Sequence, residues 1–238
     1  MPRSELPITF TRAGFRRGFF TILPFAIAGL PFGLVVGISA QAHGLSLVEA
    51  ILMSGVVFAG SAQLLALGAW TVPASILAAT FTTLVVNLRF VLMGPGLAPW
   101  LDGLRGARRW GSLFFLVDQN WAIALREIAA ERCDAAFFIG TGVAFWILWE
   151  AATIAGHLLG QWIAPAPGHP LFFAALATFI TILLPMWRSS RDLLPWIAAG
   201  IVALLVARLL PGTTWHIVAG AVAGGIVGAC RDSLEEPA

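Results

Sequence analysis

Residues 19–40 read FFTILPFAIAGLPFGLVVGISA, and this uninterrupted apolar run decides the fold class. A membrane-spanning helix needs about 20 apolar residues, whereas the apolar stretch of a cleaved signal peptide has roughly 7–15. We therefore predict a transmembrane helix here; the alternative is that Ser39-Ala40 at its end marks a cleavage site. The four arginines that precede the run favour a cytoplasmic N-terminus.

The composition of the whole chain agrees with this interpretation. Hydrophobic residues make up 59% of the 238 residues without counting the 25 glycines, and charged residues make up only 11%. A soluble domain contains about 25% charged residues, so this composition indicates an integral membrane protein and excludes most soluble enzymes and DNA-binding proteins. The net charge of +2 is uninformative. Cys133 and Cys230 are far apart, and we expect free thiols.

The apolar segments are continuous and lack the alternation of strands, so we predict an all-α, polytopic bundle of seven or eight transmembrane helices, some of them broken. If all eight segments cross fully, Arg105, Arg108 and Arg109 lie outside, against the positive-inside rule; if one segment between 47 and 97 returns, they lie inside. The sequence therefore leaves both seven and eight transmembrane helices open. The eight segments are 19–42, 47–69, 71–97, 110–130, 136–163, 171–187, 193–210 and 213–230.

The domain prediction follows from these segments. We expect a cytoplasmic segment at 1–18, one transmembrane domain at 19–230 and a polar tail at 231–238. The segments at 168–184 and 194–210 weakly resemble those at 44–58 and 72–92. This similarity predicts an internal repeat of the kind found in transporters, unless it reflects shared composition alone.

Two stretches depart from a plain helical bundle. Pro31-Phe32-Gly33 lies near the middle of the first span, where we expect either a kink or an unwound segment with free carbonyl groups. FAGSAQ at 58–63 predicts either a helix-packing seam or an unwound binding loop, with Gly60, Ser61 and Gln63 as its polar and flexible members. Before it, Ser46 and Glu49 fit a capping box.

Four strongly polar residues lie within apolar segments: Asn87, Arg89, Asp118 and Glu150. Charges inside a membrane usually face a cavity or a partner. Arg89 is therefore expected to pair with Asp118 or Glu150, either as a structural ion pair or as part of a transport site. Asp118 and Glu150 are candidates for proton coupling. Glu150 shares one helix face with His157, with Thr153 between them.

Motifs for enzymatic chemistry are missing from the sequence. It contains no H-E-x-x-H, no G-x-S-x-G, no nucleotide-binding G-x-x-x-x-G-K-[ST] and no metal-spaced Cys/His cluster. There is no lysine at all, which excludes Schiff-base chemistry. We expect no enzyme activity and no cofactor.

The stretch PFAIAGLPFGLVVGISAQAHGLSLVEAILMSGVVFAGSAQ at 24–63 resembles the N-terminal signature of the AzlC family of branched-chain amino acid permeases. The similarity continues in VVNLRFVLMG at 85–94 and covers about residues 14–230. Further matches are Gly142, Trp146, Thr153, Gly156 and Gly160.

This resemblance implies a secondary exporter of valine, leucine and isoleucine in the cytoplasmic (inner) membrane of a bacterium, working with a small AzlD-type membrane subunit. Where the family usually has an Asp-Glu pair, this chain reads Asp118-Gln119, so Asp118 would act alone. The absence of a nucleotide motif favours proton-motive coupling.

The site prediction comes from the chemistry of a zwitterion with a branched tail. Arg89 or a helix N-terminus would bind its carboxylate, and Gln63, Asp118 or carbonyls at 31–33 would bind its ammonium. Phe32 and Phe58 would contact the tail. The predicted substrate-binding set is Pro31, Phe32, Gly33, Phe58, Gly60, Ser61, Gln63, Asn87 and Arg89.

Two other function classes stay open. One is a non-transporting scaffold or assembly subunit whose small-residue faces pack against a partner. The other is a membrane-embedded enzyme, which would need a nucleophile and a base facing one cavity.

Overall fold

The computed structural model describes residues 8–68, 70, 76–163, 187, 189–211 and 215–235, and the described part is helical without a named strand. The all-α membrane class is confirmed. The helices are α1 Arg12–Ala42, α2 Leu47–Val57, α3 Gly60–Gly68, α4 Ile76–Asn87, α5 Arg89–Leu101, α6 Ala107–Phe114, α7 Asp118–Ala129, α8 Ala136–Gly160, α9 Leu193–Leu209 and α10 Trp215–Glu235.

Three helical stretches among the described residues are long and apolar enough to cross a membrane: Arg12–Ala42, Ala79–Leu101 and Ala136–Gly160. Shorter apolar helices include Leu47–Val57, Leu193–Leu209 and Trp215–Arg231. The predicted segment at 171–187 and the repeat segment at 168–184 lie almost entirely outside the described residues, whereas the repeat segment at 194–210 corresponds to α9. The number of spans and the repeat therefore stay predictions.

Helices α1 and α8 form the centre of the molecule and run parallel with their backbones in contact. A Cβ atom added at Gly18 would collide with the carbonyl of Phe137, and one at Gly37 would collide with the carbonyl of Thr153. Gly156, in turn, rests against the carbonyl of Leu34. Small residues permit this close approach, which is a principal source of helix association in lipid.

Of the two alternatives at Pro31-Phe32-Gly33, the unwound segment is wrong, because α1 continues as a helix through both Pro24 and Pro31. Each proline removes one backbone hydrogen bond. The surrounding turn is held by packing instead: Phe32 is buried, and Gly33 lies against Ala152 and Trp149 of α8.

Three other places interrupt the helices. The chain leaves helical geometry at Phe58 and Ala59, between α2 and α3, and Phe58 adopts the left-handed conformation with φ 43°. A second break covers residues 115–117 between α6 and α7, and α4 and α5 meet at Leu88 in a locally distorted turn whose backbone stays in the right-handed helical region. The unwound interpretation of 58–63 thus holds for residues 58 and 59, and the helix resumes at Gly60.

Local sequence explains the ends of α2 and α7. The predicted capping box is confirmed: the Ser46 hydroxyl accepts from the Glu49 amide, and the Glu49 carboxylate accepts from the Ser46 amide at 2.7 Å. At α7, the Asn120 side chain accepts from the Val117 amide at 2.9 Å and donates to the Phe115 carbonyl at 2.6 Å. Asn120 therefore satisfies the backbone groups that the break exposes.

The chain before α1 is tied to the loop between α7 and α8. The Thr9 amide donates to the Cys133 carbonyl at 2.8 Å, and the Ala135 amide donates to the Thr9 carbonyl at 3.0 Å. On the same side, Glu127 forms ion pairs with Arg17 and Arg132. These contacts fix α7 relative to the central α1–α8 pair.

The close α1–α8 contact gives a direct stability prediction. Gly156→Ala places a methyl group on the Leu34 carbonyl, so we expect a loss of about 1–3 kcal/mol from overpacking and a melting temperature several degrees lower in detergent. Gly200→Ala in α9 is the matched control, because a Cβ there meets nothing within 4 Å and alanine favours a helix by up to about 1 kcal/mol. Equal melting temperatures for the two variants would contradict the packing described here.

Candidate functional site

The breaks in three helices meet at one cleft between α1, α3, α5, α7 and α8. Its cavity volume is about 30 Å³, room for roughly one water molecule, so a larger ligand would enter by separating the side chains that line the cleft. The lining residues are Phe32, Phe58, Ala59, Gly60, Ser61, Arg89, Val117, Asp118, Gln119, Phe145 and Trp149.

An ion pair lies across the cleft. Arg89 is the first residue of α5 and Asp118 is the first residue of α7, and their side chains meet with an Nη1–Oδ2 distance of 3.0 Å. Of the two partners considered for Arg89, the structure selects Asp118. The helix dipole favours an acidic residue at the start of α7, where residues 115–117 interrupt the helix.

Several hydrogen-bonding groups around the cleft are unused. The Ser61 hydroxyl, Arg89 Nε and Trp149 Nε1 are all enclosed, and none has a hydrogen-bond partner among the described residues. The first turn of α3 begins beside them at Gly60, and the first amides of a helix have no intrahelical partner. Buried polar atoms are normally satisfied, so the described part of the cleft is suited to a ligand with hydrogen-bond acceptors.

Aromatic rings form the apolar wall of the cleft. The Phe32 and Trp149 rings meet edge to face at 5.5 Å, Phe145 stacks on Trp149 at 6.2 Å, and Phe58 meets Phe145 at 6.1 Å. A Cβ at Gly60 would lie 2.6 Å from the Trp149 ring. Gly60 therefore allows α3 to begin against the indole.

Six residues of the predicted set line the cleft: Phe32, Phe58, Gly60, Ser61, Arg89 and Asp118. The other five do not. Pro31 is exposed on the outer surface, and Gly33 packs against α8. Gln63 is buried one turn further along α3, and its two amide atoms, like Asn87 Oδ1, have no hydrogen-bond partner among the described residues.

Glu150, the fifth of these residues, lies on a different face of α8 from the cleft. It is 7% exposed and faces Gly55 near the end of α2. The predicted pairing with Arg89 is not formed, because Arg89 pairs with Asp118. Around Glu150, Ser54 Oγ lies 3.1 Å from Thr153 Oγ1, and His157 donates from Nε2 to the Leu45 carbonyl at 2.8 Å.

The sequence analysis missed five lining residues, and only some of them gave a signal. Phe145 and Trp149 are four residues apart, which places them on one helix face, and Trp149 directly precedes the singled-out Glu150. Val117 and Gln119 flank Asp118, but the stretch FFLVDQN contains no glycine or proline to indicate a break. Ala59 gave no signal of its own beyond its place in FAGSAQ.

Comparison with known proteins places the chain in a family. The family model described as AzlC protein matches residues 24–163, more than half of the chain. The chain belongs to the AzlC family. Every residue that lines the cleft falls within the matched range.

Individual relatives agree with this AzlC membership. A protein of Archaeoglobus fulgidus named as an uncharacterized membrane protein is 30% identical over 217 residues, covering 90% of this chain and 94% of that protein. Inner membrane protein YgaZ of Escherichia coli is 26% identical over 230 residues, covering 93% and 90%. The branched-chain amino acid transport protein AzlC of Bacillus subtilis is 26% identical over 182 residues, covering 75% and 70%. No solved structure matches the chain significantly.

The geometry of this AzlC-family cleft predicts energetic coupling between Arg89 and Asp118. Their side chains are only 23% and 24% exposed, so removing one partner leaves a poorly solvated charge. We expect Arg89→Ala and Asp118→Ala each to destabilise the protein, and the double variant to lose roughly 1–2 kcal/mol less than the sum.

The matched control cycle uses Asp102 and Arg109, whose side chains are 69% and 46% exposed at a distance of 3.4 Å. Exposed pairs couple weakly, so thermal unfolding should show additive effects for this pair. Additive effects for Arg89 and Asp118 as well would contradict a partly buried ion pair.

Proposed function

We propose that the chain exports branched-chain amino acids across the cytoplasmic membrane as a secondary transporter. The observation that carries this proposal is the opposite charges of Arg89 and Asp118 facing an aromatic wall in one cleft. An α-amino acid carries a carboxylate and an ammonium on the same carbon, and a branched-chain amino acid also has an apolar tail, so its groups match the two sides of this pair and the wall beside it.

Each substrate group has a complementary partner in the cleft. The carboxylate would take the Arg89 guanidinium together with the unused Ser61 and Trp149 donors. The ammonium would take Asp118. The aliphatic tail would lie among Phe32, Phe58 and Phe145, where apolar burial contributes about 0.8 kcal/mol per methylene group.

The ion pair also explains how an empty cleft remains stable in lipid. Without substrate, Arg89 and Asp118 neutralise each other. A zwitterion that enters between them replaces one ion pair with two, and the total charge of the cleft does not change. Transport of a neutral zwitterion therefore needs no isolated charge in the membrane interior.

Three further parts of the proposal concern energy, partner and location. Without a nucleotide-binding motif, the proton motive force is the expected driving force. A small AzlD-type membrane subunit is the expected partner, and α9, which has no buried residue, leaves an apolar surface for lipid or for that subunit. The names of the relatives YgaZ and AzlC support the inner membrane and branched-chain amino acids, respectively.

The first functional test removes the charges. With the small subunit co-expressed, Arg89→Ala and Asp118→Ala should reduce valine efflux about tenfold or more, because each variant removes a charged hydrogen-bond partner worth roughly 1.5–3 kcal/mol. Arg109→Ala is the matched control, since Arg109 is exposed and lies outside the cleft. Full transport by correctly inserted Arg89 and Asp118 variants would remove both residues from the mechanism.

Reconstitution in liposomes distinguishes a transporter from a non-transporting scaffold. Liposomes that contain the purified chain and its small subunit should move L-valine, while liposomes with the small subunit alone should not. Flux that is unaffected by leaving out this chain would favour the scaffold function.

A finer variant tests the carboxylate position. Trp149→Phe keeps an aromatic ring in the wall but removes the enclosed indole N–H, so we expect the KM for valine to rise several-fold. Trp110→Phe is the control, because Trp110 is 70% exposed. An unchanged KM in Trp149→Phe would show that the indole does not contact the substrate.

A further inference from the structure

A second polar site lies within the membrane, apart from the cleft. Glu150 projects from α8 toward α2, is 7% exposed, and neither carboxylate oxygen forms a hydrogen bond of ordinary geometry within the described part of the structure. The neighbouring Ser54 hydroxyl lies 3.1 Å from Thr153 Oγ1 and also interacts with the Glu150 carboxylate. A carboxylate in such surroundings is costly as an anion and much less so with a proton bound.

No cation compensates Glu150 in the described part of the structure. Residues 29–42 of α1, which pack along this part of α8, contain no charged side chain, and Glu49 of α2 is occupied by its capping box. Helices α6 and α7 meet α8 nearer its start, where Phe115 contacts Gly142. Their charged residues, apart from the cleft residue Asp118, are Arg108, Arg109, Arg126 and Glu127.

Two histidines are the remaining titratable groups on this side. His157 is buried on the same face of α8, seven residues or about 10 Å from Glu150, with Thr153 between them. Its Nε2 donates to the Leu45 carbonyl, so its Nδ1 carries a lone pair, and that atom is enclosed without a partner among the described residues. His43 Nδ1 lies 2.7 Å from the Ser39 carbonyl in the turn after α1.

We propose that Glu150 is the proton-binding site of the transporter, separate from the Arg89–Asp118 substrate cleft, and that Thr153 and His157 form its connection to the membrane surface near Leu45. This proposal rests on the transport function proposed above. The step is a proton transfer only: the Glu150 carboxylate binds a proton from one side of the membrane and releases the same proton to the other side.

The position of Glu150 also provides a route from the proton to the cleft. Glu150 and Trp146 both contact the last turn of α2 at Gly55, and the Trp146 indole donates to the Gly55 carbonyl at 3.1 Å. That turn ends at Phe58, whose ring lines the cleft. An ionised Glu150 would attract the Ser54 hydroxyl away from Thr153 and so displace the turn. Loss of the proton from Glu150 would thereby shift the helix break at Phe58, which lies beside the substrate.

The test compares coupled and uncoupled transport in the same liposomes. The chain and its small subunit are reconstituted, and two rates are measured with labelled L-leucine: accumulation driven by a pH gradient, and exchange with unlabelled leucine without a gradient. Glu150→Gln keeps the size of the side chain but cannot carry a proton in this way. We expect the ratio of accumulation to exchange to fall about tenfold or more.

The matched control is Glu131→Gln, which removes an exposed carboxylate and should leave the ratio unchanged. Glu150→Asp keeps the carboxyl group and is the second variant, expected to retain a ratio close to that of the wild-type protein. A wild-type ratio in Glu150→Gln overturns the proposal, and so does accumulation driven by a sodium gradient but not by a pH gradient.

A second readout does not depend on transport. Infrared difference spectra between acid and alkaline buffer should contain the carbonyl band of a buried carboxylic acid in the wild-type protein and in Glu131→Gln, and should lack that band in Glu150→Gln. An unchanged band in Glu150→Gln overturns the proton site. If the wild-type protein neither accumulates nor exchanges leucine, the proposed function fails, and the infrared result alone decides whether Glu150 binds a proton.

Discussion

The backbone contact between α1 and α8 is the constraint on which the rest of the structure depends. Gly18 and Gly37 on one helix, and Gly156 on the other, bring the chains so close that carbonyl oxygens occupy the space of a side chain. In lipid, apolar side chains gain little by leaving their surroundings, so close packing of this kind replaces the hydrophobic effect as the source of cohesion. The contact gives the protein a rigid central pair, against which interrupted helices can be held.

The interrupted helices have different local causes but one common result. Phe58 ends α2 in a left-handed conformation, Asn120 bonds the backbone groups freed between α6 and α7, and α4 and α5 meet in a locally distorted turn at Leu88. Each break places a helix start in the protein interior, and two of these starts bear the opposite charges of Arg89 and Asp118. Irregular backbone at membrane depth is tolerated where it lines a cavity. Residues at or beside each of the three breaks line the cleft.

Structural features that short-range chemistry decides were predictable from the sequence, whereas features that depend on contacts between distant residues were not. The capping box at Ser46 follows from short-range preferences and was predicted, and the break before Gly60 was one of the two alternatives that FAGSAQ left open. The membrane class and the two candidate partners of Arg89 followed from the cost of placing charge in lipid. The alternative of unwinding at Pro31 failed because contacts with α8 overrode the local effect of proline, and such contacts are formed between residues more than 100 positions apart. The break before Asp118 was missed for the opposite reason, since Asn120 creates it without glycine or proline.

A structure determined with bound L-valine would decide whether the Arg89–Asp118 cleft holds the substrate. We expect the carboxylate of valine to lie within hydrogen-bonding distance of Arg89, with Ser61 and Trp149 beside it, the ammonium to contact Asp118, and the isopropyl group to lie among Phe32, Phe58 and Phe145. Valine bound elsewhere, with the Arg89–Asp118 pair intact and the cleft empty, would contradict this expectation.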